Sequence, residues 1–267
     1  MNSAGKEGWP RPILGVIGDV HATWPSLDRV LARLAAVGVD GVLLVGDLGG
    51  GNLKQRNQRD SEVRGRYLDS VAGVLARVDA LGVPVAWVPG NHDLPDLGRV
   101  PESGGLALCR ANVDGGCVTL AGLRVAGIGG AGPARFGFCY EWSEAEIRAR
   151  PELPCDILLC HCPPARTVLD VTLRGEHVGS EAIRERALRH LGVLVCGHIH
   201  ECPGAELIGD CLAMNVGGLG SPFGQAQLGF LCGLDEVRHE NLETGERRVW
   251  RRPQLGMAAD AGPNPDL

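Results

Sequence analysis

The chain has 267 residues, enough for one large domain or two small ones, and its 44% hydrophobic and 22% charged residues are typical of a globular protein. The formal net charge of −6 argues against a general nucleic-acid-binding surface. The N-terminal stretch MNSAGKEGWPRP has no apolar signal region, and no apolar run approaches the length of a membrane span. We therefore expect a cytoplasmic protein without a membrane partner.

The first half of the chain alternates between predicted strands and helices. The strand ILGVIGDVH precedes a helix from about Ser26 to Val37, and the strand GVLLVGD precedes a second helix from about Ser61 to Leu81. Apolar residues recur in both helices at the spacing of one helical face. A third strand, VPVAWVPGNHD, follows. Strands separated by helices of this length predict crossover connections and a parallel sheet.

The second half contains shorter elements. CVTLAGLRVAGIGG predicts a hairpin turning at Ala121-Gly122, and Ser143 with Glu146 predicts a capping box at the start of a short helix. CDILLCH and GVLVCGHIH are predicted buried strands on either side of a helix near Glu181 to Arg189. The short strands CLAMNVG and QLGFLCGL and a final hairpin follow, so the C-terminal region is predicted to be rich in strands.

The chain shows no internal repeat and no linker, so we expect a single domain over residues 11–251. Residues 1–10 are interpreted as an N-terminal tail. Residues 252–267 contain Pro, Gly and Asp without periodicity, which predicts a disordered C-terminal tail.

Polar residues follow the ends of five predicted strands. These groups are Gly18-Asp19-Val20-His21, Gly46-Asp47, Gly90-Asn91-His92-Asp93, His161 and Gly197-His198-Ile199-His200. Each group alone is explained by a helix cap, a turn or a hydrogen-bonded core histidine. Ligands of open α/β sheets bind beyond the carboxyl ends of the strands, so we expect these side chains to meet at one edge.

Gathering so many polar side chains is unfavourable unless they share a partner, and a pair of divalent metal ions would provide one. Mixed carboxylate, imidazole and amide ligands suit Mn, Fe, Zn or Co better than Ca or copper, and we expect Mn first. A bridging carboxylate can hold two metal ions about 3.5–4 Å apart, the spacing used for displacement at phosphorus. The sequence therefore predicts a two-metal centre.

The motifs G-D-x-H, G-D, G-N-H-D, H and G-H-x-H, in this order from Gly18 to His200, resemble those of the calcineurin-like metallophosphoesterase superfamily. The resemblance implies an α/β fold in which a two-sheet β sandwich is flanked by helices (αββα), with the site at the C-terminal strand ends. It implies two metal-ligand sets that share Asp47 as the bridge: Asp19, His21, Asp47 and His200 for one ion, and Asp47, Asn91, His161 and His198 for the other.

The resemblance also implies a catalytic role for His92, which would contact the phosphate and protonate the leaving oxygen. Asp93 is either a turn residue or the group that orients His92. The expected function is a dinuclear metal-dependent phosphoesterase that hydrolyses a small phosphodiester, cyclic or linear, by attack of a metal-bridging hydroxide.

Three alternatives to the diesterase remain at this point. Two are enzymes, a phosphomonoesterase and a nucleotide pyrophosphatase, and the third is a non-catalytic scaffold of the same fold, against which the intact motifs argue. Gly50 stands where the superfamily's Ser/Thr protein phosphatases carry an aspartate, so that activity is not expected. The expected partner is a small phosphoester substrate, and the sequence leaves the oligomeric state open.

The stretch ARFGFCYEW has two interpretations, a packed loop or a flap over the site. As a flap, it would place Arg135 on the phosphate and stack Phe136 or Tyr140 on a base.

The loop NVGGLGSP is expected to shape the pocket without binding metal. Three cysteines beside ligand positions, Cys160, Cys162 and Cys196, are expected to pack around the ligands, with thiolate ligation as the alternative. Three further histidines, His177, His190 and His239, are assigned to the surface or to helices.

Overall fold

A computed structural model describes residues 8–51, 53–97, 110–220 and 225–253. Most of the two predicted tails, residues 1–7 and 254–267, therefore lies outside the described residues. The described helices are α1 (Trp24–Val37), α2 (Ser61–Asp79), α3 (Glu144–Ala149) and α4 (Glu181–Arg189). No helix within these ranges is long and apolar enough to cross a membrane.

The strands are β1 (Ile13–Ile17), β2 (Gly41–Leu44), β3 (Val85–Trp87), β4 (Arg110–Asn112), β5 (Cys117–Leu120), β6 (Leu123–Ile128), β7 (Ile157–Cys160), β8 (Val193–Cys196), β9 (Gly204–Ile208), β10 (Cys211–Asn215), β11 (Gln227–Cys232), β12 (Glu236–Asn241) and β13 (Arg247–Arg251). They form a seven-stranded sheet in the order β13-β12-β11-β1-β2-β3-β4 and a six-stranded sheet in the order β5-β6-β7-β8-β10-β9.

Both sheets are mixed. Strands β1 to β4 pair in parallel, which agrees with the prediction for the first half of the chain, while β11 to β13 extend the same sheet with antiparallel pairs. In the second sheet β6, β7, β8 and β10 are parallel, and β5 and β9 pair antiparallel at its edges. The antiparallel strands can be joined by short turns, whereas the parallel ones need longer connections.

The two sheets pack face to face, and the alternation of side chains in β1 shows how the layers form. Ile13 and Ile17 pack with the apolar faces of α1 and α2, whereas Leu14 and Val16 pack with the second sheet. On the far side, α3 and α4 pack on the outer face of the second sheet, where Ile183 lies in the same cluster as Leu158 and Leu194. This is the expected αββα sandwich.

Local sequence signals explain where several elements begin. Ser143 and Glu146 form the predicted capping box of α3, and Asp60 caps α2 by accepting hydrogen bonds from the backbone N–H groups of Glu62 and Val63. The hairpin between β5 and β6 turns at the predicted residues. Strand β4 was not predicted, because it is a short, partly exposed edge strand of sequence R-A-N.

Candidate metal centre

The five predicted groups meet at one edge of the sandwich. Asp19 and His21 follow β1, Asp47 follows β2, and Asn91 and His92 follow β3 in the first sheet. His161 follows β7, and His198 and His200 follow β8 in the second sheet. Because the parallel strands of each sheet end at this edge, residues that are up to 181 positions apart in the sequence become neighbours, such as Asp19 and His200.

The backbone at these strand ends is strained. Four of the predicted site residues have positive φ: Asp19 (49°), His21 (44°), Asp47 (50°) and His198 (69°). This region costs a residue other than glycine roughly 1–3 kcal/mol, and it persists where the surrounding structure imposes it. The same turns are closely packed, since a Cβ on Gly90 would lie 2.0 Å from Asp47 Oδ1 and one on Gly197 would lie 2.3 Å from Asp19 Oδ2.

The first group of potential ligands consists of Asp19, His21 and His200, whose ligand atoms all lie within 4.8 Å of one another. His200 Nε2 lies 2.9 Å from Asp19 Oδ1, but the two are not aligned as a hydrogen bond, and this buried oxygen has no hydrogen-bond partner among the described residues. A close, poorly aligned pair of this kind is what two ligands of one cation require.

Asp19 and His200 also influence each other's protonation. Burial alone would raise the pKa of Asp19, but the imidazole of His200 holds this pKa below its usual range. Burial would lower the pKa of His200, but the carboxylate of Asp19 raises it to about 9. The carboxylate therefore stays charged, as a metal ligand must be.

The second group contains Asp47 and His161, again with Asp19 within 4.8 Å. His161 Nδ1 lies 2.6 Å from the carbonyl oxygen of Val45, which can only accept, so Nδ1 carries a hydrogen. In the form that binds a metal ion Nε2 is an acceptor, and it lies 2.9 Å from Asn91 Oδ1 and 3.6 Å from Asp47 Oδ2. Three acceptors facing one another fit a cation between them.

Two carboxylates lie between the groups. Asp19 contributes to both sets of close atoms, and Asp47 Oδ2 lies 3.6 Å from the Nε2 atoms of both His21 and His161. Burial would raise the pKa of Asp47, but His161, His92 and His21 hold it well below its usual range. The arrangement is therefore compatible with a carboxylate shared by two ions.

His198 lies beside these groups, with its ring centroid 5.0 Å from that of His161. Its nitrogens are not among the closely spaced ligand atoms of either group. Burial lowers the pKa of His198 to about 3, so the ring is neutral, which is the form that binds metals. Its backbone N–H donates to Asp19 Oδ2 at 2.9 Å and so ties the end of β8 to the end of β1.

The donor set fits divalent metal ions, because it consists of carboxylates, imidazoles and an amide oxygen that face one another with few other partners. Within the described ranges, neither ligand group contains a cysteine. Cys160, Cys162 and Cys196 are buried, and burial raises the pKa of each thiol. They lie in the apolar cluster between the second sheet and the helices α3 and α4, and thiolate ligation is not supported.

His92 lies next to the ligands. Its backbone N–H donates to Asp47 Oδ1 at 2.9 Å, and its ring centroid lies 4.0 Å from that of Phe138. Burial lowers the pKa of His92. The ammonium of Lys54 lies 2.9 Å from the centroid of Phe138 and completes a short stack beside His92. From the sequence, Phe138 was noted only as part of the aromatic stretch ARFGFCYEW, and no sequence signal indicated that Lys54 would lie near the site.

Asp93 does not orient the His92 ring. Its carboxylate accepts the backbone N–H groups of Leu48 and Gly90 and the hydroxyl of Tyr67. Burial raises the pKa of this enclosed carboxyl. Asp93 therefore joins the loops after β2 and β3, so the first of the two interpretations, a turn residue, describes it better.

A cavity of about 560 Å³ opens over the predicted ligands and is also lined by two segments, one between β6 and β7 and the other between β7 and β8. The first contains Arg135 and Phe136, which line the cavity, and their contacts with phosphate and base stay a prediction. Tyr140 does not line it: its hydroxyl bonds Asp114 and Arg150 beside a separate cavity. The predicted stacking role of Tyr140 is therefore wrong, because this polar network holds its ring away from the site.

The second segment was not predicted to belong to the site. Arg174 and His177 lie on it and line the same cavity, and His177 Nδ1 lies 2.7 Å from the buried carboxylate of Asp170. The one sequence signal that could have assigned this segment to the site was its position between β7 and β8, two strands that end in predicted ligands. His177 is exposed, in line with a surface assignment, and His190 ends α4, in line with a helix assignment. The assignment fails for His239, which is 1% exposed in β12.

Two other sequence features take clear positions. In the expected closing loop, the backbone N–H of Leu219 donates to the carbonyl of Asp19, and Gly218 packs on Asp19 and His200. Its last residues, 221–222, lie outside the described residues. The second feature is GIGGAG, from Gly127 to Gly132, which matches the dinucleotide-binding pattern G-x-G-x-x-G; an irregular segment follows it and not a helix, so it lacks the context of such a site.

Comparisons with known proteins agree with this geometry. The model of the calcineurin-like phosphoesterase family matches residues 14–202. An uncharacterized protein of Methanocaldococcus jannaschii is 30% identical over 141 residues, which cover 49% of this chain and 62% of that protein. The alignment thus spans less than two thirds of that relative's length.

Solved structures show the same fold. A dimetal phosphatase from Danio rerio aligns with a TM-score of 0.57 and 14% identity, covering 91% of this chain and 100% of that one. The protein TT1561 of Thermus thermophilus aligns with a TM-score of 0.56 and 17% identity, covering 91% of this chain and 99% of that one. At these identities the likeness concerns the fold alone.

Proposed function

The chain belongs to the calcineurin-like phosphoesterase family, and from this premise we propose that it is a dinuclear metal-dependent phosphodiesterase acting on a small nucleotide-like diester. The observation that carries the proposal is the pair of ligand groups at the strand ends, where buried acceptor atoms face one another. Membership of the family supports phosphoester hydrolysis with divalent metal ions. The two-metal count, the diester and Mn as the preferred ion are our proposals.

We assign the ligands as the sequence motifs suggest. Asp19, His21, Asp47 and His200 would hold one ion, and Asp47, Asn91, His161 and His198 the other. When bound, such ions lower the pKa of water and neutralise charge on the phosphate oxygens. The backbone of the chain keeps the ligands in place, since Asp19 and Asp47 accept the N–H groups of His198 and His92.

The remaining steps belong to side chains around the ligands. We propose that His92 contacts the phosphate and delivers a proton to the leaving oxygen. Its N–H bond to Asp47 fixes its position relative to the ligands, and Phe138 holds one face of its ring. Arg135 and Phe136, on the rim of the cavity, would contact the rest of the substrate.

The cavity favours a diester over a monoester. Its volume of about 560 Å³ leaves room beyond a phosphate for a further substituent, and the ring of Phe136 is 72% exposed on its rim. A phosphomonoesterase or nucleotide pyrophosphatase is the second candidate, since the similar protein from Danio rerio is a dimetal phosphatase. A scaffold is disfavoured because every motif position keeps a side chain that can bind metal. We place the activity in the cytoplasm.

The proposal is tested by hydrolysis of bis(p-nitrophenyl) phosphate and p-nitrophenyl phosphate after loading with Mn²⁺, Fe²⁺, Zn²⁺ or Co²⁺. We expect a higher kcat/KM for the diester and no turnover of either compound by Asp47→Ala. A preference for the monoester would support the second candidate. No turnover with any of the four metals would support the scaffold.

A further inference from the structure

Two arginines on the cavity rim have no partner within the described part of the chain. Arg135 and Arg174 make neither a hydrogen bond nor an ion pair with their guanidinium groups there. The other described arginines, apart from Arg56 and Arg59, each pair with a carboxylate or donate to a backbone carbonyl. An unpaired guanidinium beside a cavity is available to an anionic ligand.

The segment that carries Arg135 is held in shape by Glu141. The carboxylate of Glu141 accepts the backbone N–H of Phe136 at 3.1 Å and that of Gly137 at 3.0 Å. These bonds hold the backbone next to Arg135 in place and occupy the carboxylate nearest to it in sequence. Arg135 is thus presented on an ordered part of the rim.

Arg174 lies at the tip of a tight turn. Thr172 and Glu176 are joined by a backbone hydrogen bond of 2.9 Å, and the N–H of Leu173 donates to Glu201 at 3.4 Å. The base of the turn is fixed by a buried aspartate, Asp170, which accepts a backbone N–H beyond the turn and pairs with a histidine. The turn therefore presents Arg174 from the opposite connecting segment to Arg135.

The rim carries charges of both signs, and most of its carboxylates bond groups other than the two arginines. Glu141 and Glu201 also line the cavity, but both accept backbone N–H groups, and Asp170 is buried against His177. Glu176 is the one rim residue whose carboxylate makes no bond among the described residues. Outside the predicted metal ligands the cavity is lined by two arginines and three glutamates, but among the described residues none of these carboxylates pairs with Arg135 or Arg174, so both guanidinium groups remain available to an anionic group of a ligand.

On the basis of the proposed phosphodiesterase function, we propose that the substrate carries a second anionic group, a terminal phosphate separate from the scissile diester, which Arg135 and Arg174 bind. The metal ions and His92 would bind the scissile phosphate, so they do not require these arginines. A terminal phosphate presents three oxygens that suit guanidinium donors. The substrate class is therefore a linear oligonucleotide or dinucleotide with a terminal phosphate.

The test compares the linear adenosine dinucleotide ApA with pApA, which differs only by a 5′-terminal phosphate. Dissociation constants are measured by calorimetry on the metal-loaded His92→Ala protein, so that binding is observed without rapid hydrolysis. We expect pApA to bind about 10-fold or more tightly than ApA, as charge-assisted hydrogen bonds to a phosphate would give. Adding Arg135→Gln or Arg174→Gln should reduce this ratio by about 5-fold or more.

Arg56→Gln and Arg59→Gln are matched controls, because these arginines are also exposed and unpaired in the described chain but do not line the cavity. They should leave the ratio unchanged. A ratio near one in the parent protein, or an equal loss for ApA and pApA in the arginine variants, would overturn the inference. The proposed function is judged separately by hydrolysis of bis(p-nitrophenyl) phosphate, so the two can fail independently.

Discussion

Asp47 contacts three other residues of the predicted site. Its Oδ2 lies 3.6 Å from both His21 and His161, and its Oδ1 accepts the N–H of His92. The imidazoles keep the pKa of this buried carboxyl below its usual range despite burial. A charged group in this position is stable only if cations or hydrogen bonds compensate it.

Replacing Asp47 with Ala should therefore remove metal from both positions, or leave one ion weakly held. Elemental analysis of the purified variant measures this directly, and Asp28→Ala, at an exposed aspartate paired with Arg77, is the control. Two full equivalents of metal in Asp47→Ala would show that Asp47 does not bridge.

His92 should matter for chemistry and not for metal content. His92→Ala should keep its metal but lose about 10²- to 10⁴-fold in rate on a diester with an alkoxide leaving group. The loss should be smaller for bis(p-nitrophenyl) phosphate, because p-nitrophenolate needs little protonation. Equal losses on both substrates would mean that His92 only positions the phosphate.

At the scale of elements, the turns after the strands determine the site. Gly90 follows β3, and its missing side chain lets Asp47 approach closely. In Gly90→Ala the new Cβ would meet Asp47 Oδ1 at 2.0 Å, so we expect about 1–3 kcal/mol of destabilisation and reduced metal content. Thermal unfolding and elemental analysis measure the two effects.

Gly65→Ala is the matched control for Gly90→Ala. Gly65 lies within α2, and a Cβ there would meet nothing within 4 Å. This variant should gain about 0.5–1 kcal/mol, because alanine favours the helix over glycine. If Gly90→Ala instead retained full metal and unfolded like Gly65→Ala, close packing would not shape the site.

The elements differ in how far the sequence predicts them. Apolar periodicity placed α1 and α2 within a few residues, and the capping box placed α3, because these signals are local. Strand β4 has no such signal, since it is short and at a sheet edge.

The motifs indicated which residues meet at the strand ends. They gave no indication of the partners that depend on tertiary packing, such as Phe138 beside His92, Tyr140 turned toward Asp114, and the Asp170–His177 pair.

The whole molecule brings the ends of two sheets together, and this assembly gathers buried charged and polar groups that need a cation. Metal removal should therefore lower stability. At a metal concentration about 100 times the Kd, binding contributes about 2.7 kcal/mol, and for a domain of this size the Tm should fall by about 5–10 °C on chelation. Adding Mn²⁺ should restore the Tm of the parent protein but not that of Asp47→Ala. An unchanged Tm after chelation would mean that metal does not stabilise the fold.

The most direct test of the central claim is a titration of the metal-free protein with Mn²⁺, with hydrolysis of bis(p-nitrophenyl) phosphate followed at each addition. A two-metal phosphodiesterase predicts that the rate rises until about two equivalents per chain are bound and then stays constant. A plateau at one equivalent, or a full rate in excess chelator, would contradict the account.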